Sequence, residues 1–429
     1  MRRAGLLHAT LPNLGEDSKD NMRYEQRLIW VLGITFGFLF FDRNAASFLM
    51  PFITKDLGFS YRQVGLIASA LSFTWAVSAF LGGALSDHTG RRKPVLLASA
   101  IAFSVCSVLS GLAGSFAALF AARFLMGLVE GPFMPVSHSL VAQESELGKR
   151  GHNMGVLQNF GSNLLGSFAA PLVLVSIAEH WSWRTAFFIA GVPGLVMAAL
   201  IARYVREPPR TAQRRSGAFA TDVMSYLALL RYRNMLLCVL MSIFMVSWMV
   251  LGWAFLPLFY VKARQLSADQ MKVLMSLLGL SAAFFSFIVP GLSDRLGRRP
   301  VVVAFNFIGV LVPLAVLYFH GSLYILGALV FLGWAASGTF PLFMATIPSE
   351  TIPARYVATA VGLSVGVGEI LGGVSAPALA GSAADAFGLN APLFIQAGCA
   401  LVGTVLAMSL RETAPGRAAA PATESRLAT

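Results

Sequence analysis

The chain has 429 residues, of which 56% are hydrophobic and only 12% are charged, and its formal net charge is +12. Because soluble globular proteins contain about 25% charged residues, this composition argues against a soluble enzyme or regulator and indicates a membrane protein. Nucleic-acid-binding proteins are also basic, but here most Lys and Arg residues fall in loops on one side of the predicted membrane helices. No nucleic-acid partner is therefore expected.

Twelve apolar stretches are long enough to cross a membrane at about 20 residues per crossing. Helices are expected, because backbone in contact with lipid must satisfy its own hydrogen bonds, and the alternation of a β-barrel is absent. The predicted spans centre near residues 28–50, 63–84, 94–114, 118–140, 154–177, 185–204, 235–260, 272–292, 301–319, 323–345, 358–381 and 391–410. The sequence thus predicts an all-α membrane protein with twelve transmembrane helices.

The Lys and Arg residues are distributed unequally between the two sides of these spans. With both termini on one side, 24 of the 32 lie on that side, 6 on the opposite side and 2 within spans. This bias predicts that both termini are cytoplasmic. The N-terminal tail lacks the apolar core of a cleaved signal peptide, and the expected location is a bacterial inner membrane.

An internal repeat relates the two halves of the chain at an offset of 206 to 207 residues. Its matched positions include Pro51 with Pro257, Gly127 with Gly333, Pro135 with Pro341, Glu144 with Glu350 and Gly166 with Gly372. Six spans separate the partners, so the two halves have the same orientation in the membrane. Parallel repeats of this kind place a solute site near the midplane, between the halves.

The repeat predicts five segments. They are an N-terminal tail (1–26), a six-helix bundle (27–205), a cytoplasmic linker (206–233), a second six-helix bundle (234–411) and a C-terminal tail (412–429). The linker is basic and contains a short amphipathic stretch that opens at Thr221-Asp222. A helix lying on the membrane surface is the expected structure of that stretch.

The most specific motif occurs once in each half. GALSDHTGRRK runs from Gly83 to Lys93, and PGLSDRLGRR runs from Pro290 to Arg299. The aspartates can accept hydrogen bonds at a helix end, the later glycines allow a tight turn, and the arginines can anchor at anionic lipid or at the facing half. The candidate gating residues are Gly83, Asp87, Gly90, Arg91, Arg92, Asp294, Gly297 and Arg298.

These two copies, placed at the repeat offset, resemble the signature of the major facilitator superfamily, and the resemblance extends from about Arg27 to Arg411. It implies the major facilitator fold, in which two parallel six-helix bundles transport a solute by alternating access. In that family the motif latches the cytoplasmic side, so the resemblance implies a role in gating and not in substrate contact.

Five charged residues lie deep within the predicted spans: Asp42, Arg43, Arg123, Glu130 and Glu369. A charged side chain at the bilayer centre costs about 3 kcal/mol or more, so these residues are expected to face a polar cavity used by ions or solutes. Arg123 and Glu130 are two helical turns apart and share a face, which predicts a pair or a proton pathway. A structural ion pair is the alternative. No nucleophile–base pair, metal-ligand cluster or cofactor motif is found, so no enzyme activity, metal or cofactor is expected.

The surroundings of these charges resemble the anion:cation symporter branch of the superfamily, which includes carriers of sugar acids, 4-hydroxyphenylacetate and sialic acid. The resemblance rests on Phe41-Asp42-Arg43 in span 1, on Arg123 to Glu130 in span 4 and on Gln158 and Asn163 in span 5. It implies that the two acids, Asp42 and Glu130, are protonation sites. The two arginines would pair with these acids and with the substrate anion.

Further candidates come from comparing the halves. Glu369 aligns with Asn163, and both are expected to face the cavity. Glu369 is interpreted as a third proton site or a substrate contact, with a structural acid as the alternative. Gln158 and Ser364 form another matched pair, for which substrate contact is predicted.

Aromatic residues give a hint about the substrate. Phe40 stands where sugar-acid carriers usually have a tyrosine, which removes a hydroxyl that could meet a polyol. Trp248 and Trp253 lie on different faces of span 7, so at most one is expected to line the cavity, and Trp248 is the candidate substrate contact. Together, Phe40, Trp248 and Trp253 favour an aromatic or less hydroxylated carboxylate over a sugar acid as the substrate.

The predicted function is uptake of a small organic anion coupled to protons. The expected partners are the anion, protons and membrane lipids, and the chain is expected to act as a monomer. Two alternatives stay open. One is a proton-coupled drug efflux antiporter, although paired arginines make a poor cation site. The other is a non-transporting solute sensor, which normally needs a longer partner-binding extension than the tails here.

Overall fold

The computed structural model describes residues 14–145, 150–207, 228–353 and 356–414. These ranges are helical and contain no β-strand, and twelve of their helices are long and apolar enough to cross a membrane. They are span 1 (Tyr24–Leu57), span 2 (Tyr61–Gly83), span 3 (Lys93–Gly111), span 4 (Phe116–Glu144), span 5 (Gly161–His180), span 6 (Trp183–Tyr204), span 7 (Arg233–Ala263), span 8 (Ala268–Leu296), span 9 (Arg298–Tyr318), span 10 (Leu323–Thr351), span 11 (Thr359–Phe387) and span 12 (Asn390–Met408). The predicted fold class is confirmed. The amphipathic stretch of the linker lies outside the described residues and stays a prediction.

The two halves begin corresponding helices with the same local chemistry. Span 2 starts at a capping box, in which the Ser60 side chain accepts the Gln63 N–H and the Gln63 side chain accepts the Ser60 N–H. Ser267 and Gln270 form the same box at the start of span 8. Because a capping box satisfies backbone donors that have no partner within the helix, the repeated sequence fixes where both helices begin.

Spans 5 and 11, which are repeat partners, both contain wide π-helical turns. These turns run over Val156–Ala169, which continues into span 5, and over Gly368–Val374 in span 11. Insertions of this kind shift side chains around the helix axis and are frequent at functional sites. Asn163 and Glu369, the matched polar pair, lie within these turns.

The halves contact each other closely where span 2 meets span 11 and where span 5 meets span 8. A side chain on Gly65 would lie 2.0 Å from the Pro377 carbonyl oxygen, and one on Gly279 would lie 2.3 Å from the Ser167 carbonyl carbon. Glycine is therefore required at both positions, because any Cβ would separate the two halves.

Hydrogen bonds between the halves lie toward the side of the bundle opposite the termini. Asp385, at the end of span 11, accepts the backbone N–H groups of Tyr61 and Arg62 at 2.8 and 3.0 Å. Lys272 of span 8 donates to Ser176 Oγ of span 5 at 2.9 Å and lies 3.5 Å from the Glu179 carboxylate. These two clamps close that side of the interface.

Candidate functional site

Asp42 and Arg123 form a fully buried pair in the N-terminal half. Arg123 Nη2 lies 4.0 Å from Asp42 Oδ1, and Arg123 Nη1 donates to the Asp42 backbone carbonyl at 3.2 Å. Ser107 Oγ lies 2.8 Å from Asp42 Oδ1, and Ser110 Oγ accepts from Arg123 Nη2 at 2.7 Å. The Arg123 guanidinium also lies 4.8 Å from the centre of the Phe187 ring. Spans 1, 3, 4 and 6 thus hold the pair in one arrangement.

This arrangement corrects the expected pairing of Arg123 with Glu130. The two residues are seven positions apart, which is a rise of about 10 Å along the helix. Arg123 extends instead to the nearer acid on span 1. Both Glu130 oxygens are buried, and neither has a hydrogen-bond partner among the described residues. Glu130 is therefore an acid without a local donor.

Arg43 lies beside this pair and is only partly buried. Its guanidinium carbon lies 4.7 Å from the centre of the Trp75 ring and 5.5 Å from that of Phe40, so two aromatic faces hold it by cation–π contact. Arg43 Nη1 has no hydrogen-bond partner in the described part of the chain. Arg43 interacts electrostatically with Glu130 of its own half and with Glu369 of the other half. Aromatic contacts therefore fix the position of Arg43, while its Nη1 has no hydrogen-bond partner among the described residues.

Glu369 lies where spans 2, 7 and 11 meet. Its Oε2 is 3.0 Å from the position that a Cβ on Gly373 would occupy, and Ser72 Cβ and Val246 Cγ1 lie 3.8 and 3.6 Å from the same position. Ser72 is one turn from Trp75, which holds Arg43, so the carboxylate and the guanidinium approach the same stretch of span 2. Glu369 and its repeat partner Asn163 are both partly exposed.

The structure favours a packing role for Trp248. Its side chain is fully buried, its indole N–H donates to the Gly309 carbonyl at 3.0 Å, and its ring lies 4.5 Å from that of Trp334. The indole N–H already has a hydrogen-bond partner within the C-terminal half, and the ring is not accessible to a solute. Trp248 is therefore not part of the proposed site. Ser364 is buried, and its hydroxyl has no partner among the described residues. The Gln158 side chain lies outside the described part of the structure.

Trp253 is the tryptophan of span 7 that reaches the other half. Its ring lies 6.0 Å from that of Phe48 in span 1, edge to face, and 5.1 Å from that of Trp334. Trp253 is partly exposed, whereas Phe48 and Trp334 are buried. The cross-half contact was not predictable from span 7 alone, because it depends on how spans 1 and 7 face each other.

The repeated loop motifs lie on the side of the termini. Gly90 ends the helix of span 2 with a left-handed φ of 64°, and Gly297 adopts a φ of 103° in the second copy. Arg298 of the second copy is buried, donates to Ser293 Oγ at 2.7 Å and to Glu350 Oε1 at 2.9 Å, and also pairs with Asp294. In the first copy Arg91 is exposed and Arg92 is buried. The Asp87 side chain lies outside the described residues.

Two carboxylates that sequence reasoning missed hold these loops. Glu207, after span 6, accepts the backbone N–H groups of Arg92 and Lys93 at 2.6 and 2.9 Å. Glu412, after span 12, accepts those of Arg298 and Arg299 at 2.8 and 3.1 Å. The signal was present in the repeat, since both acids follow an apolar span and an arginine in the sequence. Each one caps the start of the helix that follows the motif.

The environment of Glu412 changes its acidity. Burial alone would raise the pKa of its carboxyl, but four backbone N–H donors outweigh that effect and hold the pKa below its ordinary value. Two of these donors belong to Arg298 and Arg299, and the others to Thr413 and Ala414. Glu412 therefore contributes to stability as an ionised group.

Comparison with known proteins gives a consistent result. A family model described as the Major Facilitator Superfamily matches residues 32–267 and 251–428. A probable 4-methylmuconolactone transporter of Cupriavidus pinatubonensis is 27% identical over 77% of this chain and 78% of its own length. A gentisate transporter of Corynebacterium glutamicum is 30% identical over 83% of this chain and 81% of its own. The multidrug resistance protein MdtG of Klebsiella pneumoniae is 25% identical over 90% of this chain and 95% of its own.

A solved structure supports the same fold. A mutant form of the nucleoside transporter NupG superposes with a TM-score of 0.76 at 13% sequence identity, covering 89% of this chain and 99% of that one. At this identity the likeness concerns the fold alone. All the proteins named here, relatives and solved structure alike, are transporters and not enzymes.

Proposed function

We propose that this chain, which belongs to the major facilitator superfamily, takes up a small organic anion together with protons. The observation that carries the proposal is Arg43, a partly exposed residue whose buried Nη1 has no hydrogen-bond partner among the described residues. It lies beside the buried Asp42–Arg123 pair and Glu130, whose oxygens also have no hydrogen-bond partner there. An arginine that is fixed, always charged and short of a partner is suited to bind a carboxylate.

Aromatic groups around Arg43 support an organic acid with a planar, unsaturated or aromatic body. Trp75 and Phe40 contact the guanidinium, and Trp253 is partly exposed at the junction of the two halves. Ring faces of this kind bind planar groups well. The 4-methylmuconolactone and gentisate transporters, whose solutes are compact unsaturated ring compounds, are relatives of similar length.

Coupling to protons would follow from the excess of acids over arginines. When an anion binds Arg43, the carboxylates nearby lose part of their compensating charge. Their protonated forms become favourable, because a buried carboxylate without a cation is costly. By linkage, protonation of Asp42 or Glu130 then strengthens anion binding by the same factor. Anion and proton would bind together and leave together.

The Lys and Arg bias supports an orientation with both termini in the cytoplasm. In that orientation the side closed by Asp385 and Lys272 is the periplasmic one, and a solute would reach the partly exposed Arg43 and Glu369 from the cytoplasm. A cysteine replacing the exposed Trp181 should react with a membrane-impermeant maleimide in intact cells. One replacing the exposed Arg231 should not, and the opposite pattern would reverse the orientation.

The second candidate is a proton-coupled drug efflux antiporter, which the similarity to the multidrug resistance protein MdtG favours. A lipophilic cation would have to approach two guanidinium groups at the same depth as the acids. That repulsion makes the anion the better substrate for this site.

A binding screen followed by transport separates the two candidates. Purified protein is tested by thermal shift against aromatic acids, sugar acids, short dicarboxylates and lipophilic cations, because only ligands of the folded state raise its stability. We expect an organic acid to stabilise the wild type and to be taken up into proteoliposomes when the outside is acidic. Arg43→Gln should abolish both effects, while Arg231→Gln, at an exposed arginine outside the spans and the repeated motifs, should preserve them. Stabilisation by lipophilic cations that survives Arg43→Gln would favour the antiporter.

A further inference from the structure

Arg43 is acted on by two acids that belong to different halves of the carrier. Glu130 of span 4 lies in its own half, and Glu369 of span 11 lies in the opposite half. The donors of Arg123 are already engaged by the Asp42 carbonyl and by Ser110, and its guanidinium is fully buried. Arg43 is therefore the arginine that both acids and an incoming anion have in common.

Glu369 places its carboxylate close to the stretch of span 2 that contacts Arg43. Glu369 Oε2 and Ser72 Cβ lie 3.0 and 3.8 Å from the position that a Cβ on Gly373 would occupy. One helical turn from Ser72, the centre of the Trp75 ring lies 4.7 Å from the Arg43 guanidinium carbon. Span 2 thus forms a common wall for both groups. Glu369 is partly exposed, whereas Glu130 is buried.

The groups packed around Glu369 offer no other cation. Span 2 contributes Ser72 and Trp75, span 7 contributes Val246, and the charged groups at this depth in the described residues are Asp42, Arg43, Arg123 and Glu130. When all five charges, with Glu369 included, are ionised, acids outnumber arginines by one. The substrate anion then enters a region that already has an excess of negative charge.

We propose that the Glu369 carboxylate interacts with Arg43 in the empty carrier and takes the place of a substrate anion. Glu369 must take up a proton before a substrate carboxylate can replace it. This inference rests on the proposed function. It assigns to the C-terminal half one proton that is linked to binding, in addition to the proton on Glu130.

Removing the charge should strengthen binding. Glu369→Gln keeps the size and hydrogen-bonding capacity of the side chain and removes its repulsion of the substrate. At a pH where Glu369 is ionised in the empty carrier, the Kd for a monoanionic acid should fall roughly tenfold, as expected for the loss of one like-charge interaction at a partly exposed site.

The number of linked protons is a second, independent readout. The slope of log Kd against pH gives the protons taken up with the anion, by the same linkage that governs stability. At a pH where the empty site has released its protons, the wild-type slope should exceed one and the Glu369→Gln slope should be one lower. Glu369→Asp keeps the charge and should behave like the wild type, and Glu369→Asn, which copies its repeat partner Asn163, should behave like Glu369→Gln.

The outcomes separate this inference from the proposed function. If the wild type binds no organic acid, or binds one without pH dependence, the proposed function fails. If wild-type binding is proton-linked but Glu369→Gln leaves both Kd and slope unchanged, only the role of Glu369 is wrong. Weaker binding in folded Glu369→Gln and Glu369→Asn proteins, with the slope retained, would instead make Glu369 a direct hydrogen-bond acceptor for the substrate and overturn the proposal.

Discussion

The two halves of this carrier share their framework and differ at its centre. Capping boxes at Ser60 and Ser267 begin equivalent helices, and Glu207 and Glu412 cap equivalent loops. At the midplane the likeness ends. The repeat position of Asp42 is Trp248, and those of Arg123 and Glu130 are Leu329 and Ala336.

The residues that the halves share stabilise helix ends and loops, whereas the residues that differ lie at the midplane, where the proposed site is. Among the described residues, the N-terminal half buries an ion pair and leaves Arg43 Nη1 and both Glu130 oxygens without hydrogen-bond partners. The C-terminal half has the packed indoles of Trp248 and Trp334 at the same depth. The exception in the C-terminal half is Glu369, an acid that lies near the stretch of span 2 that contacts Arg43.

Copying the C-terminal residue into the N-terminal half should have the largest effect. Arg123→Leu removes the cation of a fully buried pair and leaves Asp42 without compensation, which costs about 3–5 kcal/mol. We expect a large loss in the thermal unfolding midpoint of the purified protein. Adding Asp42→Asn should recover part of that loss, because no unpaired charge remains. A single variant as stable as the wild type would show that the pair contributes little.

Neutralising Glu130 should change function more than stability. Glu130→Gln mimics the protonated acid, so anion binding and exchange of labelled for unlabelled substrate should persist. Accumulation driven by a proton gradient should be abolished, as measured by uptake into proteoliposomes. If this variant still concentrates substrate against its gradient, coupling belongs to Asp42 or Glu369 and the functional asymmetry between the halves is smaller than proposed.

Apolar periodicity and the repeat predicted the fold to within a few residues at most helix ends. The third span, centred near 94–114, is found at Lys93–Gly111. What the sequence did not reveal were relations between helices. The spacing of Arg123 and Glu130 reports a shared face on span 4, but the partner of a long side chain depends on which neighbouring helix is nearer.

The same limit explains two other misses. Glu207 and Glu412 accept hydrogen bonds from backbone N–H groups that are distant in the sequence. Because every residue type except proline carries this N–H, the sequence does not indicate which backbone groups a carboxylate will bind. Trp248 was a reasonable substrate contact from its position opposite Asp42. Only the packing of spans 7, 9 and 10 shows that its N–H is already bonded to Gly309. The sequence therefore predicted where the helices lie, but not which side chains of neighbouring helices contact one another.

The two tryptophans of span 7 should respond differently to substitution. Trp248→Phe removes the hydrogen bond to Gly309 and leaves a buried carbonyl unsatisfied, which costs about 1–2 kcal/mol. Stability should fall while the Kd of the substrate stays the same. Trp253→Leu, at the partly exposed ring, should instead weaken binding of a planar acid. Equal effects of both variants on Kd would place Trp248 in the site after all.

The smallest effect is expected from the repeated caps, and it depends on pH. The pKa of Glu412 is lower in the folded protein than its ordinary value, so its contribution to stability is present above that ordinary value and is lost as pH falls through the folded pKa. Glu412→Gln should therefore lower the unfolding midpoint at pH 7, and this difference from the wild type should disappear in acid. Because the group is partly exposed, solvent screening limits the effect at pH 7 to about 1 kcal/mol or less. Glu207→Gln, at the matched position, should have a comparable effect at pH 7. A difference at Glu412 that persists unchanged in acid would mean that shape and not charge holds the loop.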